Sequence, residues 1–261
     1  MGIVNVTPDS FSDGGRLHDA QAAVAHALKL RDEGAAILDV GGESTRPGAM
    51  AVPADEEIGR VMPVIEALVR EDCLVSVDTK KPEVMRVALA AGVAMVNDVA
   101  ALQGPDAMEV VSMSGAAVCL MHMQGDPQSM QHAPRYDDVV DEVKRFLQGR
   151  VDACVTAGIG RERLVIDPGF GFGKTLQHNL ALLKRLGCLA ELGLPVLAGL
   201  SRKSMLGALS GRKVDEREFA GVAAQLIAVA RGARLVRVHN VMAMRDALAV
   251  WNAVEEYRDG T

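Results

Sequence analysis

Three aspartates, Asp39, Asp78 and Asp167, each close a short apolar run, and two amides, Asn5 and Asn97, close runs of the same kind. Carboxylates brought together in this way suit a divalent cation, acid–base work, or the reading of a heterocycle rich in N–H donors. No D-x-D or H-x-x-x-H pair supports a metal cage, so recognition is the favoured reading. A carboxylate accepts two parallel hydrogen bonds from an N–H/NH2 edge such as guanine-like rings present, and amides add mixed donors and acceptors. Buried polar groups of this sort reject a ligand that leaves them unpaired.

Asp167 opens a loop, Asp167-Pro168-Gly169-Phe170-Gly171-Phe172-Gly173-Lys174-Thr175, directly after the apolar Leu164-Val165-Ile166. Three glycines within five residues are costly in conformational entropy. Together with two phenylalanines they point to close backbone approach to something flat. Gly173-Lys174-Thr175 looks like the tail of a phosphate-binding G-x-x-x-x-G-K-[ST] loop, but the first glycine would fall on Pro168. That match fails.

Cations stand at the later run ends. Arg237 and His239 are two residues apart, which puts them on one face of a strand. With Asn5 on the neighbouring first strand they could form an anion site; the alternative is that Arg237 pairs with an acid such as Asp246. Gly199-Leu200-Ser201-Arg202-Lys203-Ser204 sets a serine and two cations at the expected start of a helix, whose free N–H groups favour an anion. The Gly/Pro/Ser-rich stretches from Thr7 to Gly15 and from Gly41 to Gly48 read as loops able to close over a substrate. His122 and His132, ten apart among Met121, Met123 and Met130, make a poor metal pair; Met121 reads as packing against a ligand or the core.

The elements that carry these residues alternate along the whole chain. Strands are expected at Ile3–Val6, Ala36–Val40, Leu74–Val77, Ala94–Val96, Ala116–Met121, Leu164–Ile166, Pro195–Ala198 and Leu235–Val238. Helical spacing of apolar residues runs through Ile58–Val69 and Val139–Val151, and Ala-rich helices are expected at Ala20–Leu30, Glu83–Ala91 and Phe219–Ala230. Strands that are unbroken apolar runs are buried on both faces, as in parallel sheets. In an open doubly wound sheet, only the strand ends near the switch point converge. In a (β/α)8 TIM barrel all eight C-terminal ends meet at one mouth. Functional groups at nearly every strand end therefore favour the barrel, as a single α/β domain over residues 1–261.

Composition narrows the partners. The net charge is −6 with no basic stretch, which excludes a general nucleic-acid surface. With 49% hydrophobic but only 3% aromatic residues, the core must be Ala, Val, Leu and Met. Cys73, Cys119, Cys154 and Cys188 lack C-x-x-C spacing and suit reduced thiols in the cytoplasm. No signal peptide is legible, and no apolar run approaches the ~20 residues that cross a bilayer.

Taken in order, Met1-Gly2-Ile3-Val4-Asn5-Val6-Thr7-Pro8-Asp9-Ser10-Phe11-Ser12-Asp13-Gly14-Gly15 and Asp39-Val40-Gly41-Gly42-Glu43-Ser44-Thr45-Arg46-Pro47-Gly48 resemble signatures of the dihydropteroate synthases of folate biosynthesis. Ser76-Val77-Asp78-Thr79, Val96-Asn97-Asp98, Leu120-Met121-His122-Met123, the Asp167 loop, Ser201-Arg202-Lys203-Ser204 and Arg237-Val238-His239 follow in that family's order.

The resemblance implies a barrel transferase that joins p-aminobenzoate to 6-hydroxymethyl-7,8-dihydropterin diphosphate, releases pyrophosphate, and is the sulfonamide target. It implies that Asp78, Asn97, Met121, Asp167, Gly199 and Lys203 hold the pterin, with Asp78, Asp167 and Lys203 catalytic. Asn5, Arg237 and His239 would hold the diphosphate, with Mg2+ at Asn5. Phe11, Thr45, Arg46, Pro47, Phe172 and Ser201 would form the p-aminobenzoate side. A homodimer is implied as well. A pterin-binding methyltransferase barrel and a non-catalytic pterin-binding paralogue are the alternatives. Two departures stand out: the chain starts inside the first strand, where relatives carry a preceding segment, and Asn240 follows His239 where an Asp is frequent.

Overall fold

In the computed structural model, residues 1–7, 16–45, 48–126 and 130–257 are described, with the side chains of 16–19 outside that set. Eight short strands pair in sequence order and all in parallel: β1 Gly2–Asn5, β2 Leu38–Gly41, β3 Val75–Asp78, β4 Met95–Asp98, β5 Ala117–Met121, β6 Leu164–Asp167, β7 Val196–Ala198 and β8 Ala233–Val236. The sheet closes on itself. Just beyond β8, Val238 bridges to Gly2, the Ile3 N–H donates to the Val238 carbonyl at 3.0 Å, and the Val238 N–H donates to that of Met1 at 3.0 Å. This is the expected barrel. Closure removes the unpaired edges an open sheet would expose.

Helices fill each return: α1 Arg16–Asp32, α2 Ala54–Arg70, α3 Pro82–Ala90, α4 Ala107–Ser112, α5 Val139–Thr156, α6 Leu176–Lys184, α7 Gly187–Ala190, α8 Ser204–Ser210, α9 Glu218–Ala230 and α10 Val241–Glu256. Their starts follow local chemistry. The Asp138 carboxylate caps α5 by accepting from the Val140 and Asp141 N–H groups, and Asn240 caps α10 through the Ala243 N–H. Apolar faces of the helices pack on the outward side chains of the strands: Val4, Leu38, Val40, Val75, Val77, Val96, Val118, Leu120, Leu164, Ile166 and Val196 all lie in one buried cluster.

The alternate strand positions point into the barrel, since successive side chains leave opposite faces. Low in the interior they are apolar: Met95, Cys119, Val165 and Leu197 are buried together, flanked by Met1, Ile37, Ala117 and Leu235. Two residues further along the same strands they become Asn97, Met121, Asp167 and Gly199, beside Asp39, Asp78 and Arg237 from the remaining strands. The lower layer is a plug of side chains. The upper layer is a ring of functional groups at the C-terminal mouth, where TIM barrels carry their chemistry.

Candidate active site

Arg237 organises the mouth. Its Nε donates to Asp39 Oδ2 at 2.6 Å and its Nη2 to Asp78 Oδ2 at 2.7 Å, so one guanidinium bridges β2 and β3 from just past β8. The expected alternative partner, Asp246, is exposed on α10 and takes no part. Asp39 Oδ2 also accepts from Asn97 Nδ2 at 3.0 Å. A carboxylate can only accept; Asp39 thereby fixes the NH2 end of the Asn97 amide and leaves its carbonyl oxygen for another donor. Gly41 matters here: a Cβ on it would stand 3.3 Å from that of Asp78, the neighbouring strand's carboxylate.

On the opposite wall, Asp167 Oδ1 accepts from the Gly169 N–H at 2.7 Å. Gly169 is in the left-handed region at φ +67°, and a Cβ there would overlap the His122 carbonyl oxygen. Only glycine satisfies both demands. Phe172 presents its ring to Lys203, whose Nζ lies 4.1 Å from the centroid, a cation–π distance. Met121 packs with Val99, Met130 and Phe172, as expected of an adaptable wall. Lys203 itself begins α8 after Arg202, a non-glycine residue at φ +59°. That strained turn aims Ser201 and Lys203 into the mouth.

Electrostatics show that these groups share one field. Burial pushes the Asp78 carboxyl up to about 7, against the pull of Arg237. Burial also raises Asp167, opposed by the Gly169 N–H and Lys203, and lowers Lys203 to about 8, opposed by Asp167. Burial works against the Arg237 charge too, and the carboxylates of Asp39 and Asp78 outweigh it, holding the guanidinium above its ordinary value. Perturbed carboxylates and amines gathered in one concave site are the signature of function.

Two clefts flank this ring. One, between Asp78, Thr45 and the Glu43–Lys81 pair, lies beneath the loop after β2. The other is lined by Ser201, Arg202 and His239, where Ser201 Oγ and His239 Nδ1 are 2.9 Å apart. Ser201, expected beside p-aminobenzoate, therefore also stands beside His239. Asn5 ends β1 opposite Gly41, half-buried. Phe11, Arg46 and Pro47 lie outside the described residues.

Sequence reasoning passed over several contributors. Lys81 bridges Glu43 and the buried Glu57, and Glu43 Oε2 accepts from the Val52 N–H at 3.1 Å, anchoring both sides of the β2 loop. The only cue was charge in an otherwise loop-like stretch. Lys174, dismissed with the failed phosphate motif, is almost fully buried behind the Asp167 loop. His122 packs against the same loop, its Nδ1 2.9 Å from Lys174 Nζ.

The pterin binding enzyme family model matches residues 1–239. A dihydropteroate synthase of Haemophilus influenzae is 50% identical over 97% of this chain and 92% of its own, and that of Escherichia coli is 49% identical over 97% and 90%. Among solved structures, a Xanthomonas albilineans dihydropteroate synthase with 4-aminobenzoic acid superposes with a TM-score of 0.94 at 58% identity, covering 99% of this chain and 93% of that one. A Yersinia pestis dihydropteroate synthase in a sulfonamide drug complex gives 0.94 at 46% identity, covering 98% and 94%. The chain belongs to the pterin-binding enzymes, in the company of the dihydropteroate synthases.

Proposed function

We propose that the upper layer of the barrel reads a dihydropterin edge and holds its diphosphate, while the β2 side receives p-aminobenzoate. The enzyme is a transferase: it condenses 6-hydroxymethyl-7,8-dihydropterin diphosphate with p-aminobenzoate, giving 7,8-dihydropteroate and pyrophosphate. In the step, the aryl amine nitrogen forms a bond to the pterin methylene carbon, the C–O bond to diphosphate breaks, and the amine gives up a proton. An aryl amine is already a nucleophile, so no strong base is required. What the protein must supply is orientation and charge.

In this reading the Asp167 and Asp78 carboxylates and the free carbonyl end of Asn97 accept from the pterin's N–H groups, while Lys203 donates to a ring acceptor. Met121 and Gly199 complete the ring's walls. Arg237, His239 and Asn5 hold the leaving diphosphate. Developing negative charge on that group is stabilised by a guanidinium already fixed in place, which costs no reorganisation at the moment of reaction. Asp78 is placed by charge to favour a methylene that turns cationic as the C–O bond lengthens. A secondary isotope effect at that methylene is the expected sign, and its absence would contradict a cationic transition state. Holding both substrates together supplies the entropic share of the rate.

The residues present fit Mg2+. Mg2+ is ordinarily held by one or two protein oxygens plus substrate phosphates and water, and Asn5 offers one such amide oxygen beside the proposed diphosphate. When bound, the ion would neutralise leaving-group charge. Thr45, Arg46, Pro47, Phe172, Ser201 and Phe11 are assigned to p-aminobenzoate, so Arg46→Ala should impair p-aminobenzoate use more than pterin binding. A homodimer is supported by the exposed apolar side chains Phe219, Ile227, Met242, Val250 and Val254 on α9 and α10. A cytoplasmic location is supported by four free cysteines.

One observation carries the reading: Asn97, Asp39, Arg237 and Asp78 are joined in that order in one hydrogen-bonded chain across the mouth that also holds Asp167 and Lys203. The test is to incubate the protein with both substrates and Mg2+ and to follow pyrophosphate. Release that depends on p-aminobenzoate is expected. Release that ignores it would mean hydrolysis and overturn the condensation.

A further inference from the structure

Lys174 is 3% exposed, and among the described residues no carboxylate pairs with it. Its Nζ lies 2.9 Å from the Gly169 carbonyl, 2.9 Å from the Phe172 carbonyl, 2.9 Å from His122 Nδ1 and 3.3 Å from the His122 carbonyl. An ammonium has three donors, so these acceptors use all of them. Burial drives the Lys174 amine down to about 7, and burial with the nearby Lys174 charge lowers His122 to about 3. An ammonium can only donate, so beside charged Lys174 a neutral His122 accepts at Nδ1. A buried cation is costly unless its donors are all met, and here the acceptors come from two elements that must be held together.

Those elements are the end of β5 and the loop after β6. Gly169 takes Lys174 on its carbonyl and gives its N–H to Asp167, so one residue links the ammonium to the carboxylate. Phe172 takes Lys174 on its carbonyl and presents its ring to Lys203. Two other loop carbonyls are met from elsewhere: Gly171 by Gln131, and Gly173 by the Tyr136 hydroxyl at 2.8 Å. Asn179 adds a bond from its Oδ1 to the Gly171 N–H at 2.8 Å. Gln131 is exposed and Tyr136 only half-buried, whereas the Lys174 contacts are sealed.

We propose that Lys174 is a positioning residue for pterin recognition, a buried tie that shapes the β6 loop so that Asp167 and Lys203 meet the ring in register. It touches no substrate; it acts through Gly169 and Phe172. The inference rests on the pterin reading of the mouth given above.

The test is calorimetric titration of the pterin diphosphate, without p-aminobenzoate, onto wild type, Lys174→Met and Leu197→Ala. Leu197 belongs to the lower apolar layer, one layer beneath the mouth, and its truncation lowers stability without removing a polar group from the site. Lys174→Met should weaken pterin binding about tenfold or more, the scale of buried acceptors left unpaired. Leu197→Ala should stay within about twofold of wild type. A folded Lys174→Met that binds like wild type overturns the proposal, as does an equal loss in Leu197→Ala. Failure of wild type to bind at all would instead overturn the reading of the mouth. Should Lys174→Met not fold, His122 decides: His122→Asn keeps an acceptor where Nδ1 stands and His122→Leu removes it. His122→Leu should bind about threefold or more weaker than His122→Asn, and equal affinities would overturn the proposal.

Discussion

The two layers inside this barrel stand on the same strands, the same face and only two residues apart, yet they are built on opposite principles. The lower layer, Met95, Cys119, Val165 and Leu197, contains nothing that hydrogen-bonds strongly, and burial alone accounts for it. The upper layer buries Asp39, Asn97 and Asp167, with Asp78, Lys203 and Arg237 half-covered. Burial there works against the charges of Asp78, Asp167 and Lys203, and their partners only partly offset it. One layer holds the fold and the other is held by it. A site of preset charges is stable only because the floor beneath it and the helices around it supply the difference.

The largest expected effect breaks the upper layer at its centre. Arg237→Ala leaves two buried carboxylates facing one another and removes the proposed diphosphate contact. The kcat/KM for pyrophosphate release should fall about 10²–10³-fold, which corresponds to ~3–4 kcal/mol. A loss below tenfold would show that the bridge is incidental.

Leu197→Ala tests the lower layer. It should cost ~2–4 kcal/mol in urea unfolding, the usual range for a truncated buried leucine. The KM of the folded enzyme for each substrate should stay within about twofold. A selective rise in either KM would blur the division between the layers.

The smaller effect is the more instructive one. The Asp78 carboxyl is raised to about 7 by burial, above the 3.8 it has when exposed. The folded state therefore binds the proton more readily than the unfolded chain. This contribution to stability is full below pH ~4, fades as pH rises, and is gone above ~7. Asp78→Asn is neutral at every pH and so carries no buried charge above pH ~7; the variant without substrate should be more stable than wild type by ~1–3 kcal/mol at pH 8 and show no such gain at pH 4. The same variant should lose activity. Thermal unfolding at the two pH values reads the sign, and a variant less stable at pH 8 would contradict the strained upper layer.

Much of this was legible in the chain itself, for identifiable reasons. The barrel followed from apolar runs too short for helices alternating with amphipathic ones. Strand positions were off by one or two residues, as at β8, because Leu235-Val236 and Val238 are equally apolar on either side of Arg237. The division between inner and outer faces was hidden: strands buried on both faces carry no alternating pattern. Asp39 therefore read as a strand-end residue, not as a member of an interior column. Partners distant in sequence were illegible too. Arg237 reaches Asp39 across 198 residues and Asp78 across 159, while the guess of Asp246 was local. Lys174 drew notice only through the failed phosphate motif, and its buried contacts were illegible because its partners are mostly main-chain carbonyls, which every sequence has.

The central claim is that the upper layer, and not the fold at large, binds the pterin. It is tested most directly by titrating the pterin diphosphate onto Asp167→Asn beside wild type. Exchanging one carboxylate oxygen for an NH2 group keeps the shape and spoils the acceptor pair, so affinity should drop about tenfold to a hundredfold with the unfolding midpoint little changed. An Asp167→Asn protein that binds the pterin as tightly as wild type would contradict the account.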